Sequence, residues 1–411
     1  LHRVVVTGIG VVSPIGIGVR DFWKNTLAGK VGTGPLTRFD PSDCDTKIAA
    51  QVDDFDASDF IAGKQLRRTD RYSQFAVAAA RLALDDAALE IEDGVRDDAG
   101  VWIGSALGGV AFAEGQHGAF ERDGSRAVRP LLAISVFGAA ATTNAALALG
   151  LRGPNVANSN SCAAGAVAIG DAYRAVARGD VRVALAGGSE APLAPLSFGA
   201  FATIKAMSTR NDEPERASRP FDRDRDGFVM AEGSAMLCLQ RFEDALAADA
   251  RIYGEICGFG LTADAHHMTA PQPDGRSSSH AMTRALREAR VGAGELELLG
   301  AHGSSSPLND VTETIAFKRA LGAAAYGVPV AATKGQHGHA LGATSAWETA
   351  LALLAMHEKH VPGMVNLEHV DPACDLDYVR EVRAIAPRIA LCNSAGFGGI
   401  NAALVLRGIE Q

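Results

Sequence analysis

Short β-branched and apolar runs alternate with helix-period patterns along this chain, and after Phe242 the alternation begins a second time. In the first round, strands are predicted at 3–7, 101–104, 155–158 and 181–187, with helices over 19–28, 70–88, 139–149 and 162–178. In the second, strands fall at 253–257, 296–301, 328–332, 389–392 and 402–407, with helices over 279–290, 309–321 and 343–357. Such alternation predicts an α/β fold of parallel strands buried under helices on both faces. The first strand of each round ends in Gly-x-Gly, as Gly8-Ile9-Gly10 and Gly258-Phe259-Gly260, an echo that suits an internal duplication. No linker rich in Pro, Ser or Gly divides the 411 residues, so two halves, 1–250 and 251–411, are expected in one body. Segments 112–131 and 206–233 carry most of the polar turn-formers and are expected as loops.

The net charge of −9 argues against a general nucleic-acid binder, because phosphate attraction dominates such binding. Cys44, Cys162, Cys238, Cys257, Cys374 and Cys392 are scattered with no Cys-x-x-Cys pair, so neither a zinc knuckle nor a disulfide framework is expected, and a reducing cytoplasm fits best. The opening apolar run is too short and too broken by glycine for a membrane span or a signal peptide.

Three local patterns invite other readings. Gly8-Ile9-Gly10 lacks the third glycine of a dinucleotide fingerprint, since position 13 is Ser13. Asp222, Asp224 and Asp226 mimic an EF-hand start, but the twelfth loop position is Gly233 and Glu232 is out of register. His266-His267 and His337-Gly338-His339 lack the spacing and carboxylates of a zinc site.

Chemistry concentrates at Cys162, where a predicted strand turns into a helix of small residues. Unpaired backbone N–H groups and the positive end of the helix dipole there would favour a thiolate nucleophilic near neutral pH. Far downstream, His302 and His339 each sit where a strand gives way to a glycine-containing loop, the usual place for groups presented to a pocket. The glycine-flanked stretch from Asn393 to Asn401 offers a mobile aromatic, Phe397, and backbone N–H groups able to hold an oxyanion, Gly398 among them. One thiol and two imidazoles brought together by folding point to acyl transfer.

Across almost its whole length the chain resembles the β-ketoacyl-acyl carrier protein synthases, condensing enzymes of the thiolase fold. The resemblance rests on the motifs around Cys162, on 208–212 and 219–228, on His302 to Asp310, on Thr333 to His339 and on Gly396 to Gly399. It implies a duplicated α-β-α-β-α layered fold. It also implies that Cys162 accepts the acyl chain, that His302 and His339 activate malonyl-carrier protein, and that Lys334 pairs with Glu313 to support them. Phe397 matches the family's gate and, with Cys162, its oxyanion hole. Ser304 and Ser306 fall where pantetheine is bound. No metal or organic cofactor is implied, the substrates being carried on the phosphopantetheine of an acyl carrier protein. Partners would be that carrier and a second subunit, as a homodimer or a heterodimer with a chain-length-factor-like chain.

Asn160 and Ser161 replace the family's usual Thr-Ala, Ala395 a usual Phe and Ile400 a usual Thr, which predicts a more polar, less crowded substrate pocket. Residues 309–322 are similar to ketosynthase subunits of type II polyketide systems. That favours polyketide or polyene synthesis over fatty-acid elongation, and the intact Cys-His-His set disfavours a non-catalytic chain-length factor. Lys64, Arg67, Arg68 and Arg71 form a basic cluster, read as a dock for an acidic carrier.

Overall fold

The run Val-Val-Val-Thr-Gly-Ile-Gly-Val-Val-Ser forms β1 (Val4–Ser13), buried along its full length, paired from Val4 to Val12 on one edge and at Val4–Val6 on the other. The computed structural model describes residues 1–409. The first half continues with β2 (Ala99–Gly104), β3 (Asn155–Asn158), β4 (Val183–Glu190) and β5 (Gly233–Arg241). The second contributes β6 (Gly254–Ala263), β7 (Leu298–Gly300), β8 (Val330–Ala331), β9 (Ile389–Gly396) and β10 (Ile400–Arg407). Their order is β8-β7-β9-β10-β6-β1-β5-β4-β2-β3. Counted outward from the β1–β6 junction, both halves run first, fifth, fourth, second, third, so one construction appears twice.

The main covering helices are α1 (Arg71–Asp86), α2 (Ala164–Arg178), α3 (Arg276–Ala289), α4 (Pro307–Leu321) and α5 (Leu341–Glu358). α1 packs outside the first half and α3 outside the second, while α2 and α5 touch each other and strands of both halves. The result is the layering α-β-α-β-α. Position accounts for composition: α5, in the central layer, is buried from Leu341 to Met356 and is mostly apolar, with Thr344, Ser345, Glu348 and Thr349 as its buried polar residues.

The Gly-x-Gly echo has a packing cause. A Cβ on Gly8 or Gly10 would lie 2.0 or 1.9 Å from the carbonyl oxygens of Ala83 and Ala79 on α1. On Gly258 or Gly260 it would lie 2.1 or 1.9 Å from those of Ala285 and Ala281 on α3. In each half the outer helix rests directly on the first strand's backbone, which only glycine permits. Gly10→Ala is therefore expected to destabilise the fold by about 1–3 kcal/mol, the usual cost of overpacking; an unchanged urea midpoint would refute this account.

Three expectations are corrected. Only β2 with β3 and β4, and β7 with β8 and β9, pair in parallel; β1, β5, β6 and β10 run antiparallel to their neighbours. Strands covered on both faces are apolar throughout in either direction, so their hydrophobicity carries no sign of it. Segment 112–131 is a loop only from 124 onward, since Val110–Asp123 is a helix whose polarity reflects that none of its residues is buried. β5, unforeseen, is buried from Gly233 to Gln240 and shows no alternation to mark it.

Candidate active site

Cys162 lies in a single turn of 3-10 helix, Ser161–Ala163, at the head of α2 and is 7% exposed. Ser161 before it takes a left-handed φ of 52°, and its Oγ is 3.9 Å from the Cys162 Sγ. β9 passes so close that a Cβ on Gly396 would be 3.1 Å from the Cys162 amide nitrogen. From there the Phe397 N–H pulls the thiol's pKa down.

The histidines follow strand ends of the second half. His302, beyond β7, is held through its backbone, its N–H donating to Glu313 Oε1 at 2.7 Å and that of Gly303 to Oε2 at 2.8 Å. Asn393 Nδ2 also donates to Glu313, at 2.7 Å. His339, after β8, donates its N–H to the Val229 carbonyl at 2.7 Å, and its Nδ1 lies 3.0 Å from Thr344 Oγ1. The two imidazoles stand edge to face, 5.3 Å between centroids, and Phe228 packs edge-on against His339.

Lys334 does not pair with Glu313. Its fully buried Nζ donates to Glu348 Oε1 on α5 and to the His302 carbonyl, and stands 3.5 Å from His302 Nδ1. Glu313 is already filled by three N–H donors and serves as a brace for the His302 backbone. The sequence carried a signal for Glu348: a lone carboxylate within the apolar stretch 340–356 needs a buried cation.

Cys162, His302, His339, Ser304, Ser306 and Phe397 line one cavity of about 360 Å³. Ser304 and Ser306 join hydroxyls at 2.8 Å, and Ser306 caps α4 by accepting from the Asn309 N–H. Phe397 stacks on Phe201, centroids 6.1 Å apart, two rings side by side in the wall. Two predicted groups fall elsewhere. Asn160 and Ser161 lie outside the wall, so the polarity expected from them is absent there, whereas the small Ala395 does face the cavity. Gly398 is also outside, its N–H donated to the Met268 carbonyl at 2.7 Å, and it has none left for an oxyanion.

Electrostatics correct one further expectation. Burial pushes the Cys162 thiol up to about 11, outweighing Ser161, the Lys334 charge and the Phe397 N–H, which pull it down. Burial, and next the charge of Lys334, hold His302 and His339 well below the usual histidine range. At neutral pH the site therefore pairs a thiol with two neutral imidazoles, and not the preformed thiolate that the helix dipole alone predicts. Only thiolate is alkylated by iodoacetamide, so labelling of Cys162 should rise about tenfold per pH unit from pH 7 to 9. A plateau near pH 7 would contradict this.

Lys64, Arg67 and Arg68 are exposed on and beside the short helix Gly63–Leu66, and none of them forms an ion pair among the described residues. Arg71 does not belong with them, because it turns inward with Arg38 onto the buried carboxylate of Glu232.

A duplicated layered fold, with a thiol from one half and two imidazoles from the other sharing a cavity, defines a condensing enzyme of the thiolase type. The chain belongs to the β-ketoacyl synthase family, whose N-terminal domain model matches residues 1–245 and whose C-terminal domain model matches residues 253–368. It is 45% identical to the 3-oxoacyl-[acyl-carrier-protein] synthase 2 of Synechocystis sp. over 98% of each chain. Its fold matches a ketosynthase, bound to the hexaketide, in complex with its type II polyketide acyl-carrier protein. The TM-score is 0.92 at 33% identity, covering 99% of this chain and 100% of that one. The ishigamide ketosynthase/chain length factor also gives 0.92, at 34% identity and complete coverage of both chains.

Proposed function

We propose that this enzyme lengthens carrier-bound acyl chains by decarboxylative Claisen condensation, with Cys162 as acyl acceptor. The observation that carries this is the convergence of Cys162, His302 and His339 on one cavity. The Cys162 sulfur attacks the acyl thioester, the bond to the carrier sulfur breaks, and the proton leaves on the carrier thiol. Malonyl-carrier then loses CO₂, and the freed electron pair forms an enolate whose oxygen His302 and His339 stabilise by hydrogen bonds. The enolate carbon bonds to the acyl carbon, the bond to Cys162 breaks, and the thiol regains a proton from solvent. The N–H groups of Cys162 and Phe397 hold the oxyanion of the tetrahedral intermediate, and Ser304 and Ser306 bind the pantetheine arm. The reaction is redox-neutral overall and the two imidazoles stabilise its enolate, so the proposed mechanism includes no metal or organic cofactor. Intact-protein mass spectrometry with acyl- and malonyl-carriers should show an acyl adduct on the chain and a product longer by two carbons. Absence of both overturns the proposal.

Two pathway readings have support. Type II polyketide synthesis is favoured by the likeness of residues 309–322 and by the hexaketide-bound structural relative. Fatty-acid elongation is favoured by the name of the Synechocystis relative. Elongation of saturated acyl-carriers by the chain alone selects the second, and a requirement for a chain-length-factor-like subunit the first. A partner subunit is proposed to bind at β3, which ends the sheet among the described residues; Ile134, Val136, Phe137, Leu147 and Val156, the last on β3 itself, are exposed apolar residues. We place the enzyme in the cytoplasm, where its six cysteines, all unpaired, stay reduced. No helix among the described residues is long and apolar enough to cross a membrane.

Lys64, Arg67 and Arg68 are proposed to dock the acidic carrier. Arg67→Glu with Arg68→Glu should weaken carrier binding, and the loss should shrink as salt rises; unaltered affinity at low salt would count against the dock.

A further inference from the structure

The mechanism asks His339 to donate a hydrogen bond from Nε2, yet a neutral imidazole carries only one proton, and the alternative tautomer holds it on Nδ1. What faces Nδ1 decides which tautomer exists. At His302 that neighbour is Lys334, whose ammonium group can only donate, 3.5 Å from His302 Nδ1. At His339 it is the hydroxyl of Thr344, fully buried in the first turn of α5, with Oγ1 3.0 Å from Nδ1.

A hydroxyl can donate or accept, so the remaining surroundings settle its direction. Helical threonines commonly give their proton to the carbonyl four residues back, as Thr349 gives to Ser345 and Thr314 to Asp310. Thr344 makes no such bond; among the described residues its hydroxyl has a single partner, His339 Nδ1. If Nδ1 carried the proton, the Thr344 O–H would be buried without an acceptor, which native interiors avoid. If Thr344 donates, both protons are used, and the Nε2–H is left for substrate.

We propose that Thr344 is a positioning residue that donates its hydroxyl proton to His339 Nδ1 and thereby fixes His339 as an Nε2–H donor to the developing enolate oxygen. This deepens, and for its kinetic arm rests on, the condensing reading above. Lys334 and Thr344, one from each side, then present both imidazoles to the enolate in the same protonation form. The device is asymmetric, because an ammonium group enforces its direction and a hydroxyl does so only while it lacks another acceptor.

The test has two arms. In ¹⁵N-histidine NMR of the whole protein, with His339 assigned through its alanine variant, Nδ1 should be unprotonated and Nε2 protonated, and Thr344→Val should populate the other tautomer. A protonated Nδ1 in the native protein, or no change in Thr344→Val, overturns the proposal. In the kinetic arm, Thr344→Val should lower the rate of malonyl-carrier decarboxylation and condensation about tenfold or more. Acylation of Cys162 and the KM for malonyl-carrier should change less than about threefold, and Thr344→Ser should restore the rate. Equal losses in acylation and decarboxylation, or no rescue by serine, mark Thr344 as merely structural and sink the proposal. The NMR arm does not depend on activity: a native protein with the expected tautomer but no condensation would overturn the condensing reading and leave the tautomer assignment standing.

Discussion

Cys162→Ala is expected to abolish the acyl adduct and to lower condensation by about 10³-fold or more, as loss of a covalent nucleophile does. The variant should fold, because Cys162 touches apolar neighbours and loses one atom at the edge of a cavity. The same change leaves His302, His339 and their supports in place. Malonyl-carrier should accordingly still be decarboxylated, giving acetyl-carrier with no chain extension. Two readouts on one sample separate the roles: intact mass for the adduct, and CO₂ release for the histidines. An adduct that persists at another cysteine would move the nucleophile. Loss of decarboxylation together with condensation would mean that the thiol, and not the imidazoles alone, organises malonyl binding.

The second large effect is on stability. Glu348→Ala leaves the Lys334 ammonium fully buried, with the His302 carbonyl and the His302 ring as its remaining partners. Removing one member of a buried pair costs about 3–5 kcal/mol, because the other stays uncompensated. Replacing both, as Lys334→Met with Glu348→Leu, removes the stranded charge together with its partner. The double variant is therefore expected to be more stable than Glu348→Ala, although the His302 loop loses its tether and condensation falls. Equilibrium unfolding in urea of wild type, Glu348→Ala, Lys334→Met and the double variant tests this. Equal losses in all three variants would show that packing, and not charge, dominates there.

The chemistry was more legible in the sequence than the frame that presents it. Cys162, His302 and His339 could be found because each is an uncommon residue at a strand end, the histidines beside glycine and Cys162 at the mouth of a helix of small residues, a local pattern. The partner of Lys334 was only half legible: Glu348 stands out as a lone carboxylate in an apolar stretch, but Glu313 lies on a helix too, with Asp310 one turn before it, and the fold decides which reaches the amine. Strand direction was hidden for a similar reason, since β1 and β5 are buried on both faces and look alike run either way. The Cys162 thiol was misjudged because the helix end is visible in the sequence and the depth of burial is not.

In the duplicated frame, Cys162 stands after β3 at the head of α2, and His339 stands after β8 at the head of α5. These are corresponding places in the two repeats, so a near-symmetric scaffold carries an asymmetric reaction. In the proposed mechanism the acyl acceptor and one of the imidazoles that steady the enolate occupy the same address, filled differently. Neither repeat holds a reaction centre of its own. If the proposed roles hold, one architectural corner used twice serves two different steps, and a change at either copy reaches the shared cavity that both need.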